Sequence, residues 1–396
     1  MKQTKQKSII TGLAVLALTP MTHAGAPSTT NTAITPSDGV THYLDPNAFD
    51  KLWGLATLYK NDANPWLQEF KLRGRYHGQY HWLDSDQGNQ DGWEDRRSRF
   101  GFDAKLLDKK IEVRAEFESN DGFEDIYSSL VDAYVKWKPT ADLSITLGRQ
   151  KPLIGYYDWL QSTNAQPTFE RSQIFNQLRV NRATGATVEG KVERFSWQAG
   201  VYSNDTDTEF GSFAGGISFT AGVGYDFKHV IDTEKADWRL DYLHSDIDTA
   251  DDTVQNRYAD IVSTTLWVKE GHWSIVTEGF FAAGGEGKDA NVFGFYIQPT
   301  YDLVPKRLQL VGRYSFATGD GPDAVIAQSR YERAAPDLTG GGRGETYNAG
   351  YLGLQYFIQG DKLKLMAGAE YASLDGGGNG GDFDGVTWLT GVRLSF

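Results

Sequence analysis

The sequence predicts an all-β fold, a transmembrane antiparallel β-barrel of about sixteen strands with a short N-terminal periplasmic helix. Three observations carry the prediction. FKLRGRYHGQYHW (70–82) alternates without a break: Phe70, Leu72, Gly74, Tyr76, Gly78, Tyr80 and Trp82 share one parity, and Lys71, Arg73, Arg75, His77, Gln79 and His81 the other. Such alternation marks a strand with one dry and one wet face, and about thirteen residues is longer than an ordinary half-buried strand. Connections between runs of this kind are short and long by turns. The chain stops on a further alternating strand, VTWLTGVRLSF, whose Trp388, Thr390, Val392, Leu394 and Phe396 share a face.

Taken in order, the first residues set the compartment. Lys2, Lys5 and Lys7 precede an apolar run from Ile9 to Leu18, and Thr22-His23-Ala24 offers a small-residue cleavage site. This is the layout of a secretory signal peptide over 1–24, with a run too short to span a bilayer as a helix, so the mature chain is expected to begin at Gly25. Losing three lysines takes the formal charge from −13 to −16, with 36 basic against 52 acidic residues. That balance argues against a nucleic-acid partner. With no cysteine, the chain gains no stability from disulfides and carries no Cys-based metal or redox site. Mean hydropathy is −0.47, and no later apolar run approaches the ~20 residues of a membrane helix, so a membrane is met through strands.

Residues 25–64 read as a polar linker and a short amphipathic helix. Phe49, Leu52, Trp53, Ala56 and Tyr59 fall on one helical face, and Asp45-Pro46 is a helix-start signal. A helix packed at the mouth of the following domain is expected.

The barrel is assigned to 65–396. In RSRFGFDAKL, Phe100, Phe102, Ala104 and Leu106 oppose Arg97, Arg99, Asp103 and Lys105; after a turn at Asp108-Lys109-Lys110, Ile111, Val113, Ala115 and Phe117 oppose Glu112, Arg114, Glu116 and Glu118. Val131, Ala133, Val135 and Trp137 oppose Asp132, Tyr134 and Lys136. Further runs follow to the C-terminus. The region 258–301 holds three candidate strands of ambiguous parity. Short connections fall at 107–110, 138–142, 193–195, 270–271, 302–306 and 359–362; long polar ones at 83–92, 119–127, 203–211, 245–257, 283–291, 317–345 and 372–385. A meander with short turns at one end and long loops at the other is the outer-membrane barrel pattern, and the terminal Phe396 resembles the assembly signal of such proteins. In lipid every backbone polar group must be bonded, so only a closed sheet spans. The aliphatic and aromatic parity therefore faces lipid, and the parity of Arg73, Arg75 and Arg97 faces an interior that holds water.

GRQKPLIGYYDW, FERSQIF and RVNRATGATVEG (within 148–190), with LQLVGRY (308–314) and YLGLQYFIQGDKLKL (351–365), resemble the phosphate-selective porin O and P family over roughly residues 66–396. The resemblance implies a homotrimer of barrels in the bacterial outer membrane, in contact with its lipid, and a water-filled pore for passive diffusion of small solutes, anions such as phosphate favoured. It also implies that the loop after the fifth strand, here Pro152 to Leu178, folds into the lumen. Gly148-Arg149 and Lys151-Pro152 match the start of that loop, Glu170-Arg171 its Glu-Arg pair, and Arg182 with Gly185 the next strand start. The expected channel-lining and anion-guiding residues are Arg73, Arg75, Arg97, Arg99, Arg114, Lys136, Arg149, Lys151, Arg171, Arg179 and Arg182. Their planar forks and ammonium groups suit oxyanions. The chain departs from the family pattern in its acids: Glu69, Asp95, Asp103, Glu112, Glu116, Glu118 and Asp132 interleave with the arginines, and pairing between the two merely shapes a wall.

Competing chemistries fare worse. His77 and His81 lie about 13 Å apart along a strand, too far to share a metal ion unaided. GGNGGD (377–382) is a single copy of a calcium turn that needs stacked repeats, and TGGGRGE (339–345) lacks the ending of a phosphate loop. No metal or cofactor is expected. A barrel phospholipase or protease needs a Ser/His or Asp/His constellation; of seven histidines one is in the signal peptide, and no nucleophile signature flanks the others. A secreted sandwich fails on strand length and on charge lying where a core should be.

Overall fold

The computed structural model describes residues 46–119, 125–205, 208–246, 257–284, 289–328, 330–376 and 381–396. The expected signal peptide and most of the linker lie outside them, as do residues 377–380 of the glycine-rich loop. The helix α1 spans Pro46–Gly54, and its buried Trp53 donates its indole N–H to the carbonyl of Ser395.

Sixteen antiparallel strands close into a barrel. The first five are β1 (Leu67–Ser85), β2 (Gln90–Leu106), β3 (Ile111–Glu118), β4 (Ser129–Thr140) and β5 (Leu143–Gln150). After a long excursion come β6 (Ala183–Val192), β7 (Phe195–Ser203), β8 (Ile217–Asp226), β9 (Lys235–Ser245) and β10 (Asp260–Glu270). Next are β11 (Trp273–Ala283), β12 (Val292–Val304), β13 (Leu308–Gly319), β14 (Arg343–Phe357), β15 (Leu363–Gly376) and β16 (Phe383–Ser395). Every strand pairs with its sequence neighbour, and β16 pairs with β1 from Gly385 opposite Ser85 to Ser395 opposite Arg75. Closure leaves no edge in the hydrocarbon.

The seam shows how the last residue is used. Phe396 exchanges backbone hydrogen bonds with Gly74, at 3.0 and 3.3 Å. Its ring lies so close over Gly74 that a Cβ there would sit 2.2 Å from it. Just beyond, Thr57–Lys60 pairs with Glu69–Lys71 and takes over where β16 ends. The outer face carries exposed Leu72, Tyr80, Trp82, Leu352, Leu354 and Trp388, apolar surface that a bilayer covers.

Two departures from simple alternation matter. Between β1 and β2 the register slips: His77 faces Arg97, but Gly78 faces Asp95. Arg96 is the extra residue of a β-bulge, and above it the parity of β2 inverts. Asp95 consequently lies with Tyr76, whose hydroxyl it accepts, on the outer parity and not among the lumen arginines as expected. The strands of 258–301 are three, β10 to β12, and their inward parity mixes buried Ile261, Val276, Phe280, Ala282 and Val292 with buried Ser263, Thr265, Glu278 and Gln298. Apolar residues therefore stand on both faces, which is why alternation of polarity fails to mark the inside.

Candidate functional site: the lumen and its inward loops

What makes the inner side of β10–β12 apolar is the segment between β5 and β6. It folds into the barrel and buries Ile154, Trp159, Phe169, Ile174, Phe175 and Leu178. Trp159 stacks on Phe175, and Phe175 meets Phe280 of β11 edge-on. The segment's one helix, α2 (Gln173–Leu178), is capped by the Ser172 hydroxyl, and both Ser172 Oγ and its N–H donate to Asp158 at 2.6 and 2.9 Å.

Polar clamps from the wall fix the loop at several points. Glu278 accepts the backbone N–H groups of Tyr157 and Asp158, at 3.2 and 3.0 Å. The Arg393 guanidinium donates to four loop carbonyls, those of Thr163, Gln166, Thr168 and Phe169, at 2.6–2.9 Å. His77 is bonded to Asn164 at 2.7 Å and is buried under the loop, not exposed to the lumen. Saturating so many carbonyls with one buried cation offsets the cost of placing irregular backbone at membrane depth.

Opposite this packed side, β1–β5 and the start of β6 present charge. Arg73, Arg75 and Arg99 converge on the single carboxylate of Glu116, at 3.6, 3.6 and 3.7 Å. Arg73 also donates to Asp103 at 2.7 Å, Arg99 to Glu118 at 2.6 Å, and Arg75 to the Thr163 hydroxyl at 3.1 Å. Arg114 takes Asp103 in a two-pronged bond at 2.7 and 3.3 Å. Lys136 pairs with Glu189 and Arg182 with Asp132, at 3.2 and 2.8 Å.

Three cations then gather round one indole. Lys151, Arg171 and Arg182 lie 5.0, 5.0 and 5.4 Å from the ring of Trp159. Lys151 donates to the carbonyls of Trp159 and Gln161. Arg171 is buried, with one terminal nitrogen unpartnered. Burial, then the neighbouring Arg171 and Arg182, push the Lys151 ammonium well below its ordinary range; burial likewise brings Arg171 down to about 10. The site is thus short of negative charge.

Three expected residues stand elsewhere. Arg97 points to His77, not into the cluster of Arg73, Arg75 and Arg99. Arg149 lies across from Ala133, on the parity of Val135 and Trp137, and donates to the carbonyls of Leu130 and Glu209. Arg179 is the exposed left-handed residue (φ 47°) that ends α2.

Residues 70–229, from β1 to just past β8, match the model of the family described as phosphate-selective porin O and P. No curated protein sequence matches the chain. The fold is that of the anion-selective porin from Comamonas acidovorans, at 12% identity and a TM-score of 0.58 over 83% of this chain and 99% of that one. It is also similar to Salmonella typhi OmpF (13%, TM-score 0.56, 86% and 100%) and to the outer membrane channel DcaP of Acinetobacter baumannii (12%, 0.53, 85% and 99%). Over residues 70–229 the sequence matches a porin family, and the fold throughout is that of bacterial outer-membrane porins, which points to a channel rather than a barrel enzyme.

The porin has a second inward loop that its sequence only hints at. The segment 320–342, expected as a long outer loop, buries Ala324, Val325, Ile326 and Ala327, and Val325–Ile326 pairs with the start of β14. Gln173 and Gln177 of α2 donate to the carbonyls of Ile326 and Ala324, at 2.5 and 2.6 Å. The apolar run AVIA inside a Gly/Asp-rich loop was the available signal. At its far end Tyr331 stacks on His81 and bonds to Gln79 and Glu94. Glu332 is buried, accepting from Tyr347 and from the N–H of Gln328; burial and the nearby Glu370 raise its carboxyl to about 8.

The bulge joins both loops of the porin. Arg96, absent from the expected set because it breaks parity, grips Glu170 in a two-pronged bond at 2.8 and 3.0 Å. Burial alone would raise the Glu170 carboxyl, but Arg96, Arg97 and Arg330 outweigh it and hold it far below the usual range. Arg330 of the second loop pairs with Glu94. Adjacent Arg96-Arg97 in an alternating strand was the sequence sign of that bulge. Arg313, buried against Glu370 at 2.9 Å, and Arg393 were on lumen parity and were likewise missed.

Proposed function

We propose that this porin favours small anions, oxyanions such as phosphate among them, and that the cations around Trp159 set the preference. One observation carries the reading: among the described residues, neither Lys151 nor Arg171 is ion-paired, whereas the arginines of β1–β3 at the site share carboxylates. Charge rings at a constriction set pore selectivity, and guanidinium forks match oxyanion geometry. Arg73, Arg75, Arg99 and Arg114 then act as a screened, largely compensated approach, with Lys136 further along the wall. Arg97, Arg149 and Arg179 are left with structural parts.

The finer assembly belongs to the same proposal. Residues 1–24 are removed on export, and three copies associate through the outer wall near the seam. A hollow of about 690 Å³ between Trp82, Trp388 and Leu352, floored by Ala367 and Ala369, supports that contact.

Reversal potentials of single channels in potassium chloride and potassium phosphate gradients test the selectivity. Native protein should pass chloride and phosphate over potassium, and Lys151→Glu with Arg182→Glu should move the reversal potential toward that of potassium. A double variant that conducts with unchanged reversal potential removes these cations from the function.

A further inference from the structure

Below the inward loop, at the end of the short turns, the lumen opens into a cavity of about 920 Å³. We infer that this vestibule is a binding site for a ring-shaped polyol, a sugar; the inference rests on the chain being a channel but not on its anion preference.

The chemistry of the lining selects the ligand. Tyr157 descends from the loop, Trp267 stands on β10, and Phe357 closes β14, so three aromatic side chains border one space. Tyr157 and Trp267 meet edge-to-face at 5.0 Å, which fixes both rings. Across β12, β13 and β14 runs a ladder of planar polar groups: Gln309 donates to Asp302 at 2.8 Å, and Gln355 donates to the Gln309 carbonyl at 2.9 Å. The direction of this ladder is forced. A carboxylate only accepts, so Asp302 must meet the amide nitrogen of Gln309; its oxygen then faces Gln355, whose nitrogen must answer. The ladder therefore ends in an acceptor, Gln355 Oε1, which has no partner although Gln355 is only 2% exposed.

A buried acceptor without a donor asks for a hydroxyl or an N–H. Chloride supplies neither, phosphate brings a hydroxyl but no apolar face for the three rings, and an apolar solute would use only the rings. A sugar offers hydroxyl donors around its rim and apolar C–H faces, which matches an aromatic wall joined to a polar ladder. Gln355 itself is one of the residues that line the cavity.

The test uses full-length protein in planar bilayers and in detergent. Maltose added on the short-turn side should reduce the ion current saturably, half-maximally on the order of 10 mM, while the open-chain polyol sorbitol at equal osmolality should give only the viscosity effect. Gln355→Leu and Trp267→Phe should each weaken the effect at least fivefold without changing conductance in potassium chloride. A channel that conducts normally yet treats maltose and sorbitol alike overturns the inference and leaves the channel reading standing. If no current flows at all, the channel reading fails. The site is then judged by tryptophan fluorescence, where maltose should shift the native signal saturably and leave Trp267→Phe unmoved; no saturable shift in the native protein overturns it.

Discussion

Along β1–β5 the inward parity is dominated by charge; along β9–β13 its covered part is led by apolar side chains, with Asp241, Glu278 and Arg313 buried among them. The same barrel architecture carries both. On the first wall, guanidinium groups and carboxylates neutralise one another. On the second, Leu243, Ile261, Phe280 and Val292 are sealed by Trp159, Ile174 and Phe175 of the inward loop. The difference teaches that a barrel wall can serve as the core of a soluble-like layer. Here the hydrophobic effect works inside the pore, holding a loop that carries Lys151 and Arg171 and setting it against the opposite wall.

The largest effect should come from breaking that seal. Phe175 lies between Trp159 and Phe280, and its truncation alone costs about 3–5 kcal/mol. Phe175→Asp adds an unpaired buried carboxylate. The loop should leave its seat, single-channel conductance should rise, and protease should cut within 152–178, while the barrel keeps its heat-dependent shift on SDS gels. Unchanged conductance with a folded barrel would mean that the loop is held by Arg393 and Glu278 alone, and that the apolar wall is passive.

The second loop offers a subtler handle, through pH. Glu332 has a folded-state carboxyl raised from 4.5 to about 8, so the seated loop favours the protonated acid. The resulting stabilisation is complete below about pH 4.5 and is lost as pH rises through about 8, at no more than about 1.4 kcal/mol per pH unit. Proteolysis of 320–342 should accelerate from pH 5 to pH 9. Glu332→Gln, which cannot ionise, should flatten that dependence. A profile identical in both proteins would assign the pH response to another group.

The contrast between the walls also explains what was legible in the sequence. Where a strand separates a wet lumen from lipid, as at Arg73 to Trp82, polarity alternates and the faces can be read. Where apolar residues stand on both sides, as Phe280 and Phe281 do in β11, strand number survives but orientation does not. Arg96 falls out of a strict alternation because a single inserted residue inverts parity, its only sign being the adjacent Arg96-Arg97, and Asp95 is misplaced for the same reason. Arg149 was carried over by a motif although the pleat turns it outward. The clamp of Arg393 on four carbonyls depends on tertiary contacts between residues 224–230 positions apart. No local pattern encodes that. The second loop left one trace, an apolar tetrad among glycines and aspartates, which a periodicity argument passes over.

The smallest effect tests the charged wall itself. Glu116 is shared by Arg73, Arg75 and Arg99, so its charge cancels part of the field that three guanidinium groups would otherwise present. Glu116→Gln keeps the side chain's shape and a carbonyl acceptor but removes one negative charge. At a distance of ~7 Å in a water-filled lumen a unit charge contributes about 0.6 kcal/mol, and the Debye length of ~8 Å leaves a little under half of that, about 0.25 kcal/mol. Acting with opposite sign on anion and cation, the change should raise the ratio of chloride to potassium permeability roughly twofold, since about 1.4 kcal/mol is tenfold. The same change at Glu189, the partner of Lys136 on the outer flank of the wall, should do less. A folded Glu116→Gln channel whose permeability ratio stays where it was would show that ions do not pass close to this wall. Their path would then follow the cations gathered round Trp159, with the arginines of β1 and β2 serving only to brace the barrel.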